Sequence, residues 1–105
     1  MIANYNQPFI NSTIVISAWD GENLIGAVRA LSDKMFRSVI YDLLVFPEYQ
    51  GLGIGKELVR RAIAHYPKSE WLVMTTKQVE GYYEKLGFKR KHDVFMSMPC
   101  KHFTV

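Results

Sequence analysis

Thr13-Ile14-Val15-Ile16-Ser17-Ala18-Trp19 is β-branched and apolar, a pattern and length that predict a strand. Asp20-Gly21-Glu22-Asn23 is a turn signal. Leu24 to Leu31 returns as the partner strand, with Gly26 marking a bulge. Ser32-Asp33-Lys34 turns the chain again, and Arg37 to Val45 is nearly continuous in apolar residues, so it reads as the third and central strand. Together these segments predict an antiparallel meander. Residues 1–11 are polar and mixed, an irregular or short helical lead-in.

The period changes at Gly55. Leu58, Val59, Ala62, Ile63 and Tyr66 recur at steps of three and four, an amphipathic helix lying on the sheet and stopped by Pro67. Lys56, Arg60, Arg61 and His65 fall largely on its other side. Trp71 to Thr76 reads as a fourth strand, parallel to the third because a helix joins them. Gln78 to Leu86 predicts a shorter helix closed by Gly87. Phe88 to Lys91 and Val94 to Met98 read as a closing strand or hairpin, stopped by Pro99. The fold class is α/β (α+β): a mixed, mostly antiparallel sheet with two helices, in one domain spanning 1–105.

The candidate chemistry sits where strand gives way to helix, in Val45-Phe46-Pro47-Glu48-Tyr49-Gln50-Gly51-Leu52-Gly53-Ile54-Gly55-Lys56. A strand, a glycine-rich turn and a helix place unpaired N–H groups and the positive end of the helix dipole together, which favours a phosphate. Spacing decides between three motifs. A P-loop needs GxxxxGK followed by Ser or Thr; Gly51 to Gly55 is one residue short and Glu57 follows Lys56. A dinucleotide fingerprint needs GxGxxG, and Lys56 occupies its third glycine. Gln50, Gly53 and Gly55 give Q-x-x-G-x-G after Val45-x-Pro47, which resembles the acyl-coenzyme A pyrophosphate loop of the GNAT family of N-acetyltransferases. Gly81-Tyr82-Tyr83-Glu84-Lys85-Leu86-Gly87-Phe88 resembles that family's closing motif, in the right order and at a fitting separation.

The resemblance implies a GNAT-like sheet whose central parallel strands splay apart to admit acetyl-CoA. Leu44 and Val45 would pair with its pantetheine arm, while Gln50, Gly51, Leu52, Gly53, Ile54, Gly55 and Lys56 would hold its pyrophosphate. It implies transfer of an acetyl group to a primary amine by direct attack, with the acceptor a small molecule or a peptide. Tyr83 falls at the family's general-acid position, where a phenol matches a departing thiolate in acidity; its alternative is an aromatic packed under the coenzyme, and Tyr82 beside it shows that aromatics suit this helix. The backbone N–H of Val45 would serve the developing oxyanion. Asp42, a carboxylate in an apolar run, either relays a proton from the amine or accepts structural hydrogen bonds at the splay. Glu48 reads as a turn residue, Glu84 as solvent-facing. A full family member carries a strand and one or two helices before the meander, where about eleven residues stand here, so the resemblance covers roughly 12–98. Either another chain completes the acceptor pocket or that portion has been lost. A binding module without robust catalysis, and a scaffold whose turn binds nothing, are the alternative functions.

Composition narrows the rest. With 105 residues, 49% hydrophobic and 13% aromatic, the chain can build one small core. A net charge of +3 is mild, and Lys89-Arg90-Lys91-His92 is the only dense basic cluster, so nucleic acid is not expected. No apolar stretch reaches a membrane span and no basic-then-apolar leader opens the chain, which predicts a cytoplasmic protein. Cys100 is the only cysteine, and His65, His92 and His102 do not converge, so no metal is expected. Trp19 and Trp71 read as core or rim aromatics, and Met74, Met96 and Met98 as core, with Met96 a candidate for an acyl pocket. An unprotected sheet edge predicts a homodimer.

Overall fold

The computed structural model describes residues 7–91 and 95–101. A one-turn helix α1 (Gln7–Ile10) precedes strands β1 (Ile14–Asp20), β2 (Asn23–Ser32) and β3 (Arg37–Val45). A 3-10 turn (Pro47–Tyr49), helix α2 (Ile54–Ile63), strand β4 (Glu70–Val73) and helix α3 (Glu80–Lys85) follow. The sheet runs β1-β2-β3-β4, antiparallel for the first two pairings and parallel for the last. The predicted meander, the interior third strand and the parallel fourth strand are all present.

Alternation along the strands decides which side chains meet α2. Ile14 on β1, Val28 and Ala30 on β2, and Ile40 on β3 are buried with Leu58, Val59 and Ala62 of α2. Leu43 and Val45 pack on the same core. Strict alternation cannot put Ile40 and Leu43 on one face. A bulge resolves this: Ala30 opposes Ile40 and Arg29 opposes Asp42, leaving Tyr41 as the extra residue. A second irregularity sits beside Gly26, where Ala18 opposes Gly26 and Trp19 opposes Leu24, so that Ile25 is the extra residue.

The pairing of β3 with β4 is fastened at one end and open at the other. Ser38, fully buried, shares hydroxyl hydrogen bonds of 2.8 Å with both Ser32 and Ser69, tying three segments together. The Glu70 N–H donates to the Phe36 carbonyl at 2.8 Å. The Glu70 carboxylate meets Arg37 and Lys91. The ladder stops at Ile40 and Val73, while β3 continues through Tyr41 to Val45. β4 therefore ends at Val73, where the expectation carried it to Thr76: a strand without a partner has nothing to pair its main chain.

Three further expectations are corrected. The helix predicted to Tyr66 ends at Ile63; His65 and Tyr66 then donate to Ala62 and Ile63 in tighter turns before Pro67. No closing strand occurs among the described residues of 88–101, and Val94, like His92 and His102, lies outside them. Arg90 pairs with Glu80 and Lys91 with Glu70, which holds the start of this segment by its side chains. Met74, Met96 and Met98 are exposed rather than core, because none of the described residues buries them. Trp19 is a rim residue, and Trp71 donates its indole N–H to the Tyr66 carbonyl at 3.0 Å. No helix among the described residues is long and apolar enough to cross a membrane.

Leu58 is 4% exposed and joins all three meander strands through the core. Leu58→Ala is expected to cost about 2–5 kcal/mol, read as a lower urea midpoint at unchanged slope.

Candidate functional site

The open end of β3 faces a groove of about 540 Å³ between the turn that opens α2 and helix α3. Ladder geometry shows what β3 offers to it. In an antiparallel pair, opposed residues alternate between hydrogen-bonded and non-hydrogen-bonded. The Phe46 N–H donates to the Ile25 carbonyl at 2.9 Å, so the next pair, Gly26 with Val45, is the non-bonded kind. Both main-chain polar groups of Val45 therefore turn away from β2 and toward the side that β4 has left. The Gln50 side-chain amide donates to the Val45 carbonyl at 2.9 Å. The Val45 N–H is left facing the groove. Leu44 is committed to Ala27 by the same alternation, and its side chain is 54% exposed.

The turn itself is shaped by glycine. Gly53 caps α2 at φ +84°, and Gly51 lies at φ +81°. A side chain at either would strain the backbone, although each has open space around it. Gly55, the buried second residue of α2, is constrained by a neighbour instead. A Cβ there would stand 2.2 Å from the Tyr82 hydroxyl.

Electrostatics favour an anion at this turn. Glu57 in the first turn of α2 accepts from Arg60 at 2.8 Å and from Arg61 at 3.0 Å, which holds its carboxyl down to about 2. Lys56 beside it is exposed and makes no ion pair among the described residues. The Tyr49 hydroxyl donates to Asp20 at 2.7 Å, docking the 3-10 turn on the β1–β2 hairpin and raising the phenol pKa.

Helix α3 supplies the facing wall with Val79, Tyr82 and Tyr83. The two tyrosine rings meet edge to face at 5.4 Å, and Tyr83 meets Phe88 the same way at 5.7 Å. Burial raises the pKa of both phenols, with Tyr82 adding to the shift of Tyr83, so both stay protonated at neutral pH. Neither hydroxyl has a hydrogen-bond partner among the described residues.

Of the residues singled out by sequence, Val45, Gln50, Gly51, Gly53, Ile54, Gly55, Lys56 and Tyr83 line one groove. Leu44, Leu52 and Asp42 do not. Leu52 is 70% exposed beside it. Asp42 lies on the opposite sheet face, accepting from the Arg29 Nε at 2.7 Å. The Arg29 guanidinium is held between the rings of Phe9 at 5.7 Å and Tyr41 at 5.1 Å. Tyr49 and Tyr82 were not singled out. A glycine inside a helix start, rather than in the turn, was the signal for Tyr82: it marks a close neighbour.

A family model described as Acetyltransferase (GNAT) domain matches residues 3–104. The protein named Uncharacterized N-acetyltransferase ycf52 in Pyropia yezoensis is 34% identical over 79% of this chain and 52% of its own length. The GCN5-related N-acetyltransferase 2, chloroplastic, of Arabidopsis thaliana is 42% identical over 67% of this chain and 30% of its own length. The chain thus spans about half the length, or less, of these curated relatives. A solved structure of a putative acetyltransferase from Deinococcus radiodurans superposes with a TM-score of 0.78 at 26% identity, covering 90% of this chain and 68% of the other. A GNAT family protein from Streptococcus pneumoniae shares the fold at a TM-score of 0.78 and 24% identity, over 92% and 80%.

Two predictions follow from the geometry of this site. Gly55→Ala is expected to push the exposed Tyr82 side chain aside and to change stability by less than about 1 kcal/mol, since the displaced atom is its free end and alanine has the better helix propensity. Denaturant midpoints of Gly55→Ala with and without Tyr82→Phe check this in a thermodynamic cycle. The Glu57 carboxyl should titrate near 2 by NMR and move back toward 4.5 in the Arg60→Ala, Arg61→Ala variant. Its contribution is present in full above the unfolded value of 4.5 and is lost as pH falls through about 2.

Proposed function

Because the chain belongs to the GNAT acetyltransferases, we propose that it binds acetyl-CoA along the splayed end of β3 and transfers the acetyl group to an amine. The observation that carries this reading is the convergence on one groove of the Val45 N–H, which has no partner among the described residues, the glycine turn and two protonated tyrosines. The fit to the coenzyme rests on the turn: positive φ at Gly51 and Gly53, open space at both, and the exposed Lys56 make a cradle for a diphosphate.

When bound, acetyl-CoA supplies a thioester whose carbonyl carbon an unprotonated amine attacks, with loss of the thiolate. The residues divide the remaining work. Gly51 to Lys56 bind the diphosphate through main-chain N–H groups and one cation. The Val45 N–H donates to the carbonyl oxygen as negative charge gathers there, and Gln50 fixes the Val45 peptide by holding its carbonyl. Tyr83 gives its phenolic proton to the departing sulfur, and the proton shed by the attacking nitrogen passes to solvent, which reprotonates the phenolate; a phenol kept protonated by burial suits that task. Asp42, engaged by Arg29 on the far face, acts in this reading by holding the Tyr41 bulge rather than by taking the proton of the amine. The acceptor is an amine, small or peptidic.

Calorimetry with acetyl-CoA, coenzyme A and ATP tests the reading. Micromolar binding of the two coenzymes, absent for ATP and weakened by Gly53→Ala, supports it; no binding of either coenzyme sinks it. In an amine screen, Tyr83→Phe is expected to lower kcat by about 10²-fold or more while leaving KM for acetyl-CoA within a few-fold. Intact binding without turnover on any amine would favour the binding-module alternative.

A further inference from the structure

Tyr82 and Tyr83 are neighbours on α3, and the acid role leaves Tyr82 without one. Its hydroxyl nonetheless has a definite neighbour at the start of α2. The hydroxyl reaches across the groove to the first turn of α2 and occupies the space that any side chain at residue 55 would need. That same space is bordered by Val45, whose Cγ2 lies 3.6 Å from the ideal Cβ position of Gly55. The Tyr82 oxygen thus stands beside the start of α2 and near the end of β3. It makes no protein hydrogen bond among the described residues, partial burial raises its pKa, and the residue is 40% exposed and lines the groove.

A hydroxyl that lines the groove, has no protein partner among the described residues and lies against the start of α2 is placed to donate to a ligand there. The groups around it select the chemistry: the adjoining N–H groups of the α2 start and Lys56 favour an anionic oxygen acceptor. We propose that Tyr82 is a binding residue, its phenolic O–H donating to a phosphate oxygen at the diphosphate end of the coenzyme, while Tyr83 works at the sulfur end. The assignment rests on the acetyl-CoA reading given above and adds a donor from the wall opposite the glycine turn. Tyr82 thereby clasps the ligand between two helices that otherwise touch little.

Calorimetric titration of the unmodified chain and of Tyr82→Phe, with coenzyme A and with pantetheine, which lacks the diphosphate, separates the possibilities. The expected result is a loss of about 10-fold or more in coenzyme A affinity for Tyr82→Phe, no loss for pantetheine, and an unchanged or higher Tm. Equal loss for both ligands would move the contact to the pantetheine amides and overturn the proposal, as would unchanged coenzyme A affinity. Absence of coenzyme A binding by the unmodified chain would overturn the acetyl-CoA reading itself, whereas binding that Tyr82→Phe leaves intact would overturn only the role of Tyr82.

Discussion

The parallel ladder between β3 and β4 ends at Ile40 and Val73, and the site depends on what β3 does after that point. A strand that loses its neighbour must find other partners for half of its main-chain groups. On its β2 side, Asp42 to Val45 stays paired with Gly26 to Arg29. On the other side the Gln50 amide takes the carbonyl of Val45 and leaves the N–H. Had β4 run on beside β3, that donor would be spent in the sheet and no groove would exist. The buried hydroxyls of Ser38, Ser32 and Ser69 keep the two strands together at the opposite end, so the opening is a hinge-like splay rather than a lost strand.

The Tyr41 bulge is the second half of the same device. It advances the pleat by one residue, which turns Leu43 and Val45 toward α2 and the groove and sends Asp42 to the other face. There Arg29, held between two aromatic rings and bonded to Asp42, braces the irregularity. The charges around the turn follow a similar logic. Glu57 would repel a phosphate on its own, yet two arginines on its own helix offset it, leaving the local balance positive.

Much of this was legible in the residues. The bounds of β3 are legible to the residue, because turn signals bracket a nearly continuous apolar run. The glycine turn and Tyr83 were read from motif spacing, and they do line one groove. The bulge was not legible, since an apolar run on both sides of Tyr41 carries no alternation to break. Asp42 was singled out because a carboxylate in that run looked unaccompanied, and its partner Arg29 lies on another strand, thirteen residues away. The methionines near the end of the chain were read as core from hydropathy alone; burial requires a facing layer, and none covers them among the described residues.

The splay has a consequence for the order in which the molecule assembles and loosens. The meander closes through short turns, whereas Glu70 must find Arg37 across 32 intervening positions of chain, so β4 and α3 join last. What joins last through only four paired residues also detaches first. The groove's outer wall is therefore held by fewer pairings than the three-stranded meander it leans on. A ligand lying between the walls acts as a fastener: it ties the loosest edge to the most stable strand pair, and the occupied protein gains its resistance to unfolding at that edge.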